Sequence, residues 1–325
     1  MRDGATSVAD LGRQLAEQIA QIVVGNRGAV ELLTVALLCE GHALIEDVPG
    51  IGKTTLAKTL AHCLDCSFAR IQFTPDLLPS DITGIFFFNQ KASEFEFRAG
   101  PIYANVVLAD EINRATPRTQ SALLEAMEER QVTVEGHTTP LPRPFLVLAT
   151  QNPVELEGTF PLPEAQLDRF LLRVTLGYPS EQDEVAILRR FAAPNPPVMP
   201  KPLIGPDRLQ ALSEQVRSVH VSDAVAGYAV ALARATREHE AIELGASPRA
   251  SLALCRAAQA LAALHGRDFV IPDDLKNLTS PVFGHRLLLR HHHRLHGAGV
   301  ERVLHTVIDG VTVPAEPLPG VMGSS

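Results

Sequence analysis

The stretch that most constrains this chain spans residues 42–60, HALIEDVPGIGKTTLAKTL. An apolar run ending at Glu46 is followed by a glycine-rich loop and then by apolar residues at the 3.6-residue spacing of a helix. A strand, a glycine loop and a helix in this order can bind phosphate, because loop N–H groups and the helix dipole converge on the anion. The sequence therefore predicts a nucleotide site; the alternative is an ordinary Gly-Pro turn before a core helix.

The residue types in this loop suit phosphate chemistry. Gly50 and Gly52 let the backbone approach the phosphates because they carry no Cβ. Lys53 is expected to reach the β- and γ-phosphates, and the hydroxyl of Thr54 is expected to sit on Mg²⁺. Asp47 stands where the strict pattern has its first glycine. The residues predicted to bind the nucleotide here are Asp47, Val48, Pro49, Gly50, Ile51, Gly52, Lys53, Thr54 and Thr55.

Composition is that of a soluble globular protein. The chain has 325 residues, of which 46% are hydrophobic and 20% charged, enough for one large and one smaller domain. No apolar run approaches the roughly 20 residues of a membrane span, and the polar N-terminus does not resemble a signal peptide. The net charge of −8 argues against nucleic acid as the default partner. We expect no membrane insertion and a cytoplasmic location, since the cysteines form no disulfide framework.

A cysteine pair and a histidine-rich run contain residue types that bind metals, but neither forms a complete metal site. Cys63 and Cys66 have the spacing of a redox motif or half a zinc site, but no second cysteine pair accompanies them, so chance packing is favoured. The histidine-rich run 291–296 has no carboxylate or cysteine at a matching spacing. A solvated helix face is the favoured interpretation of that run.

Short apolar runs alternate with helical patterns in the first half of the chain. Nearly continuous apolar strands separated by helices are typical of a parallel sheet covered on both faces. The predicted strands are residues 43–45, 68–73, 106–109, 145–149 and 170–176.

The sequence changes character after residue 178. Six prolines between 193 and 206 predict a linker, and residues 207–264 read as helix without strands. We therefore expect an α/β nucleotide-binding core at 1–178, a smaller helical domain at 179–313, and a flexible tail at 314–325.

A second part of the site is predicted at the ends of two apolar runs. Asp110 and Glu111 follow the run 106–109, and parallel strands meet at the edge from which the phosphate loop leaves. Asp110 is expected to hold Mg²⁺ through water and Glu111 to activate the attacking water as general base. Asn152 would reach the same edge, to orient the water or touch the γ-phosphate. A solvated turn for the acids and a turn asparagine before proline are the alternatives.

The chain resembles the AAA+ ATPases, and within them the MoxR family, over nearly its whole length. The stretches that carry the resemblance are GIGKTT, VVLADEINRA, LATQNP, FPLPEAQLDRF, GASPRA and QFTPDLLPSDITG. The resemblance implies a P-loop AAA+ core, with a parallel sheet between helices, and a smaller all-helical lid domain. It also implies that Lys53 and Thr54 belong to Walker A, Asp110 and Glu111 to Walker B, and Asn152 to sensor 1.

Two arginines and one turn receive roles from the same resemblance. Arg169 would be the arginine finger that reaches the nucleotide of a neighbouring subunit, and Arg249 would be sensor 2 in the lid. Val24 and Gly25 match the segment that borders the adenine.

Structural alternatives stay open for both arginines. Arg169 would instead form a salt bridge with Asp168 or Glu164, and Arg249 would be a surface charge at a helix start. The rival candidates for a trans-acting arginine are Arg114, Arg118 and Arg173.

The resemblance implies ATP and Mg²⁺ as cofactors. It also implies that ATP is hydrolysed between the subunits of a homo-oligomeric ring, which we expect to be a hexamer. It implies chaperone-like remodelling of protein clients, and the partners of such proteins often contain a von Willebrand factor A domain. One alternative is a AAA+ motor or loader acting on nucleic acid, which needs a basic surface or an added DNA-binding domain. The other is a scaffold that binds ATP to assemble without meaningful turnover.

A β-hairpin is predicted at residues 85–97. The twelve residues 86–97 contain five of the thirteen phenylalanines. Packing of these rings at the junction with the sheet is the favoured interpretation, and contact with a polypeptide client is the alternative.

Overall fold

The computed structural model describes residues 7–47, 50–151, 158–192, 198–291 and 299–314. The α-helices are α1 Val8–Ile22, α2 Arg27–Leu38, α3 Lys53–Cys63, α4 Pro79–Thr83, α5 Pro117–Glu129, α6 Glu164–Leu167, α7 Glu181–Ala192, α8 Pro206–Val216, α9 Asp223–Glu238, α10 Pro248–Leu264, α11 Pro272–Phe283 and α12 Val300–Gly310. The strands are β1 Ala43–Glu46, β2 Phe68–Gln72, β3 Gly84–Asn89, β4 Glu94–Ala99, β5 Val106–Asp110, β6 Gln131–Val134, β7 His137–Pro140, β8 Leu146–Gln151, β9 Leu172–Val174, β10 Ile242–Leu244 and β11 Leu288–Leu289.

Within these residues, five strands form one parallel sheet in the spatial order β2-β5-β8-β1-β9. They are the five apolar runs that the sequence predicts as strands. The register places Ala109 beside Ala149, and Ala149 beside Leu44, so β5, β8 and β1 end at one edge. The predicted α/β fold class is confirmed.

The strands are apolar because both faces of the sheet are buried. Val107 and Ala109 of β5 pack in one core with Leu123 of α5. Val106 and Leu108 alternate with them on the opposite face and are also fully buried. Burial of a side chain of this size contributes about 1.5–3 kcal/mol, and in the central strand β5 the polar residue Asp110 stands at the end of the strand.

Two antiparallel hairpins, β3–β4 and β6–β7, stand outside the parallel sheet. The first is the hairpin predicted at 85–97, and it pairs Phe86 with Phe97. At its base Gly84 has a φ of +91°, and a Cβ there would lie 2.3 Å from the carbonyl oxygen of Arg98. Only glycine therefore fits where this hairpin leaves the core.

Contacts divide the chain into two compact units, Met1–Val216 and Arg217–Ser325. The sequence places the boundary earlier, after residue 178, whereas α7 and α8 belong to the first unit by their contacts. α8 packs against α2, and the Leu203 N–H donates to the Cys63 carbonyl oxygen at 2.7 Å. These contacts attach the end of the proline-rich segment to the first unit. Residues 193–197 of the predicted linker and 315–325 of the predicted tail lie outside the described ranges.

The second unit consists mainly of α9, α10, α11 and α12, which pack on one another. The expectation that residues 207–264 contain no strand is wrong in one detail. β10 pairs antiparallel with β11, with Ile242 beside Leu289. A three-residue strand carries no periodicity of its own, so its pairing depends on a distant segment.

Cys63 and Cys66 are thiols held by packing. Burial raises the pKa of the Cys63 thiol to about 11. Burial, aided by the charge of Asp65, raises the pKa of Cys66 to about 12. A raised pKa makes a thiol a poor nucleophile and a poor metal ligand, which agrees with the packing interpretation. In the parts of the chain that the structure describes, no helix is long and apolar enough to cross a membrane.

A buried histidine, His42, joins three elements just before β1. Its Nδ1 accepts the Val147 N–H at 3.0 Å, and its Nε2 lies 3.1 Å from the Met127 carbonyl oxygen. Nε2 therefore carries the proton of a neutral ring. Burial, together with the positive charge of Arg130, lowers the pKa of His42 from 6.5 to about 3.

This lowered pKa predicts a loss of stability in mild acid. The unfolded chain binds a proton at His42 below about pH 6.5, whereas the folded chain does so only near pH 3. As the pH falls from about 6.5 toward 3, the free energy of unfolding should therefore decrease by up to about 1.4 kcal/mol per pH unit because of His42. Urea unfolding at pH 7, 6 and 5 measures the slope.

His42→Gln should be less stable at pH 7 and should show a shallower pH dependence than the original chain. His62→Gln is the matched control, because His62 is exposed on α3. A slope that is unchanged in His42→Gln would contradict the assignment.

Candidate functional site

The phosphate loop joins β1 to α3, which begins at Lys53. Gly50 and Gly52 have φ angles of +85° and +89°, a region in which a residue with a Cβ is strained, so both positions favour glycine. No described atom lies within 4 Å of a Cβ built on either glycine, so the adjacent space is open. Val48 and Pro49, which the sequence also predicts to bind nucleotide, lie outside the described residues.

Lys53, Thr54 and Thr55 form the first turn of α3. The N–H groups of a first turn have no partner inside the helix, and such groups bind anions. Lys53 Nζ donates to the Asp47 carbonyl oxygen at 3.1 Å, so its positive charge lies beside the loop. Thr54 is half-buried and Thr55 is exposed.

The Asp47 carboxylate binds the chain that follows β9. Its Oδ2 accepts the N–H groups of Leu176 and Gly177, at 2.6 and 2.7 Å. Asp47 is 7% exposed. Asp47 thus contacts Lys53 through its backbone carbonyl and the chain after β9 through its carboxylate.

The two acidic residues predicted at the end of β5 both contact Thr150 of β8. The Thr150 hydroxyl donates to Asp110 Oδ1 at 2.6 Å and accepts the Glu111 N–H at 2.8 Å. Glu111 has a φ of +57°, which is uncommon for a residue with a Cβ. Strained backbone of this kind persists where its surroundings enforce it, and it is enriched at active sites.

Two residues of β2 extend this network. Arg70 donates through Nε and Nη2 to Asp110 Oδ2, at 3.2 and 2.6 Å. Gln72 Nε2 donates to Glu111 Oε2 at 2.7 Å, and Arg114 Nε lies 3.3 Å from the same oxygen. The Asp110 carboxylate is therefore oriented from both sides of β5, and the Glu111 carboxylate is oriented by β2 and by Arg114.

The roles of Arg70, Gln72 and Thr150 were not predicted from the sequence. The sequence pattern that could have identified them is a polar side chain within or just after a predicted strand, which is the pattern that identifies Asp110. For the two residues of β2 this pattern indicates no role, because the sequence does not show that β2 lies beside β5.

A second polar cluster lies at the same edge, on β1, β8 and β9. The Glu46 carboxylate accepts Gln151 Nε2 at 3.0 Å and Arg173 Nη1 at 2.9 Å. The Arg173 side chain is only 14% exposed, so it is poorly placed to act on another subunit. Asn152 follows Gln151 but lies outside the described residues, and its role stays a prediction.

Arg169 follows α6 and pairs with Glu128 of α5, with 3.1 Å between Nη2 and Oε2. The structural alternative drawn from the sequence was a salt bridge of Arg169 with Asp168 or Glu164. The two side chains are 29% and 37% exposed, and an ion pair this exposed contributes at most about 1 kcal/mol. The guanidinium can therefore exchange Glu128 for another anion at small cost. The rival Arg118 is exposed on α5.

Val24 and Gly25 lie in the turn between α1 and α2. Gly25 has a φ of +76°, and a Cβ there would lie 3.1 Å from Oδ2 of Asp183 in α7, so the turn lies against that helix. Arg249 is the second residue of α10 in the second unit and is exposed. Its contact with a nucleotide stays a prediction.

The first unit thus combines an anion-binding helix start with two oriented carboxylates. Because β8 lies between β1 and β5, the phosphate loop and the carboxylates are two strand spacings apart, about 10 Å. A phosphate chain held at Lys53 would extend across this gap toward Asp110 and Glu111. The hydroxyl of Thr54 and the carboxylate of Asp110 are hard oxygen ligands, and Mg²⁺ needs few of them because it retains several waters. The residues present therefore fit a magnesium–nucleotide complex.

Comparison with known proteins agrees with this geometry. The family model described as "ATPase family associated with various cellular activities (AAA)" matches residues 42–172, and the model of the AAA lid domain matches residues 234–305. The chain is 43% identical over 319 residues to Chaperone MoxR1 of Mycobacterium tuberculosis. The matched region covers 95% of this chain and 84% of that protein. The chain belongs to the MoxR family of AAA+ ATPases.

Two further comparisons are consistent with a MoxR-family chain. YeaC of Bacillus subtilis, a protein without an assigned function, is 49% identical over 300 residues, covering 92% of this chain and 94% of that one. The crystal structure of a protein from Cytophaga hutchinsonii, proposed to be an ATPase, superposes with a TM-score of 0.89 at 37% identity, covering 95% and 96% of the two chains. The predicted core, lid and ATP hydrolase activity are confirmed at this level.

If Lys53 binds the β- and γ-phosphates, Lys53→Ala should weaken ATP binding to this MoxR-family chain by more than about 100-fold. The reason is that several charge-assisted hydrogen bonds are lost together. Titration with a fluorescent ATP analogue measures the dissociation constant. Lys58→Ala is the control, because it removes the same charge from the exposed side of α3. Near-normal affinity in Lys53→Ala would contradict the assignment of the phosphate loop.

Proposed function

We propose that this ATPase is a magnesium-dependent, ring-forming remodeller of protein clients. The observation that carries the proposal is the shared edge of the parallel sheet, where the start of α3 and the pair Asp110–Glu111 lie together. A helix start alone binds many anions, and two adjacent acids alone are often a solvated turn. Together they supply what phosphoryl transfer to water requires, namely phosphate positioning and activation of the nucleophile.

In the proposed mechanism, Lys53 neutralises charge on the β- and γ-phosphates. Thr54 and Asp110 would hold Mg²⁺, Asp110 through water; the bound ion neutralises charge that develops on the phosphate oxygens. Glu111 accepts a proton from the attacking water as general base. Asn152 orients that water or contacts the γ-phosphate.

The contacts of Glu111 support its role as the base. Its backbone N–H is fixed by Thr150, and its Oε2 is fixed by Gln72 and Arg114. A general base acts only within hydrogen-bond reach of the water it activates. These contacts hold the carboxylate in one orientation before a nucleotide arrives.

We further propose that Arg169 acts on the nucleotide of a neighbouring subunit in a ring, which we expect to be a hexamer. The exposed pair with Glu128 is cheap to exchange, and a planar, permanently charged guanidinium suits the charge that spreads over a transferring phosphoryl group. Arg249 is proposed to contact the nucleotide from the lid, and Val24 and Gly25 to border the adenine.

A trans-acting arginine predicts complementation between two inactive variants. Arg169→Ala should bind ATP normally but hydrolyse it about 10³–10⁵-fold more slowly, the usual contribution of an arginine finger. Glu111→Gln should bind ATP and Mg²⁺ without turnover, because the base is lost. Mixed subunits should recover activity, since some interfaces combine an intact Glu111 with an intact Arg169. Steady-state ATPase assays across mixing ratios measure this recovery.

Arg234→Ala is the control for charge loss, because Arg234 is 67% exposed and lies 3.9 Å from Glu238 in the second unit. Activity in the mixture that equals the sum of the two variants would contradict a shared site. Normal turnover by Glu111→Gln would require another residue to activate the water. ATP binding without measurable turnover in the unmodified chain would favour the scaffold.

The β3–β4 hairpin supports a protein as the client. Phe87, Phe88 and Phe95 are 38%, 52% and 69% exposed. Phe86 and Phe97 pack together, with ring centroids 5.2 Å apart, and Phe88 and Phe95 pack edge to face at 5.3 Å. The exposed surface of Phe87, Phe88 and Phe95 supports the client interpretation, in which a client would cover these three rings. Each would contribute about 1.5–3 kcal/mol if a client buried it fully.

The partner class comes from the relatives rather than from these residues. The relative in Mycobacterium tuberculosis is named a chaperone, and we propose the same general activity for this chain in the cytoplasm. Partners with a von Willebrand factor A domain are proposed on the family resemblance. The net charge of −8 disfavours nucleic acid, because affinity for its phosphates depends on lysine and arginine contacts.

ATPase titrations should separate the two kinds of partner. At about 150 mM salt, a folded client should stimulate turnover, whereas duplex and single-stranded DNA should not, because a ring of acidic subunits repels the phosphate backbone. Phe88→Ala and Phe95→Ala should reduce client stimulation while basal turnover is preserved. A candidate client with a von Willebrand factor A domain is the probe.

Leu252→Ala is the control for loss of an exposed apolar side chain, because Leu252 is 52% exposed on α10. Strong, salt-sensitive stimulation by DNA would overturn the remodeller in favour of a nucleic-acid motor. If the client stimulates ATPase turnover equally in both phenylalanine variants and in the original chain, the hairpin is not part of the client interface.

A further inference from the structure

The N–H, the carbonyl and the carboxylate of Asp47 all make hydrogen bonds beside the phosphate loop. Its N–H donates to the Gln151 carbonyl oxygen at 3.3 Å, which extends the ladder between β1 and β8 by one residue. Its own carbonyl accepts Lys53 Nζ at 3.1 Å. Its carboxylate accepts two backbone N–H groups from the chain that follows β9. One residue thus joins β8, the loop lysine and the segment after the edge strand.

The two N–H groups belong to consecutive residues, Leu176 and Gly177. The ladder between β1 and β9 ends with Ile45 beside Val174, two residues before Leu176, and beyond that point the carboxylate of Asp47 accepts the N–H groups of the chain. Gly177 has a φ of +70°, and a turn of this kind aims successive N–H groups at one point and binds anions. The Asp47 carboxylate supplies that anion from within the chain.

Burial makes this arrangement specific for a carboxylate. Asp47 is 7% exposed, and a buried charge is costly unless hydrogen bonds compensate for it. Hydrogen bonds to an ionised acceptor are roughly twice as strong as neutral ones. A glycine at this position, as in the strict loop pattern, leaves both donors without this partner.

The segment that Asp47 holds leads directly to α7. Ser180 donates to Asp183 Oδ2 at 2.7 Å, at the start of that helix. The same carboxylate oxygen lies 3.1 Å from the position of a Cβ on Gly25. Fixing the chain at residues 176–177 therefore also positions the start of α7 against the turn at Val24–Gly25.

We propose that Asp47 is a positioning residue for nucleotide binding. Its carboxylate clamps the chain after β9 to the start of the phosphate loop, which sets the loop, Lys53 and the Val24–Gly25 turn before the nucleotide arrives. The carboxylate itself does not touch the nucleotide. The inference rests on the proposed role of Lys53, and it gives a function to the residue that replaces the first glycine.

Two substitutions test the clamp. Asp47→Asn keeps the shape but removes the charge, and Asp47→Gly restores the residue of the strict pattern. Both should bind a fluorescent ADP analogue about tenfold more weakly, the change expected when one charge-assisted hydrogen bond is weakened. The KM for ATP should rise by a similar factor, with kcat within about twofold, because the carboxylates of β5 are untouched.

Asp81→Asn is the matched control. The Asp81 carboxylate accepts the Leu78 N–H at 2.9 Å at the start of α4, so the same substitution weakens the same kind of bond away from the loop. It should lower the melting temperature without changing the ADP affinity. If Asp47→Gly does not fold, Asp47→Asn alone carries the test.

Normal ADP affinity in the Asp47 variants, or an equal loss in Asp81→Asn, would overturn the clamp. A fall in kcat at unchanged KM would do so as well. These results are separable from failure of the proposed site. If Lys53→Ala loses binding while Asp47→Asn does not, only the clamp is wrong; if Lys53→Ala binds normally, the phosphate loop itself is misassigned.

Discussion

The parallel pairing of β1 with β8, and of β8 with β5, is the constraint on which the rest of the site depends. Parallel strands in register end together, so the residues that follow them share one edge. The distance between the glycine loop after β1 and the carboxylates after β5 is thereby fixed at about two strand spacings. A shift of one residue in either pairing would move these side chains to the opposite face. The fully buried strands make such a shift costly, and this fixes the geometry of the site.

The same edge concentrates acidic groups, and each has a specific partner. Glu46 pairs with Arg173, Asp110 pairs with Arg70, and the Asp47 carboxylate accepts backbone N–H groups. Partly buried carboxylates need such partners, because loss of hydration is otherwise uncompensated. The partners hold the carboxylates in defined positions, so little ordering is left for the moment at which ATP binds.

The hydrolytic edge and the phenylalanine hairpin are close along the chain. β2 ends at Gln72, whose amide contacts Glu111, and β3 begins at Gly84. The segment between them is anchored by Phe73 and Ile82, both fully buried. Between these two anchors the chain is more open, since Asp76, Leu78 and Asp81 are exposed. The active edge and the exposed rings are therefore joined by a short segment that is fixed to the core at both ends.

The sequence by itself determined the five strands, the phosphate loop and the acid pair Asp110–Glu111. These are local properties, since an apolar run, a glycine loop and the chemistry of a residue type are all read within a few positions. The tertiary structure decided the order of the strands, and with it the partners. Arg70 contacts Asp110 across 40 residues, and Asp47 contacts Leu176 across 129. Periodicity reports whether a residue is buried but not which distant segment buries it, because that choice is made by the packing of the whole sheet.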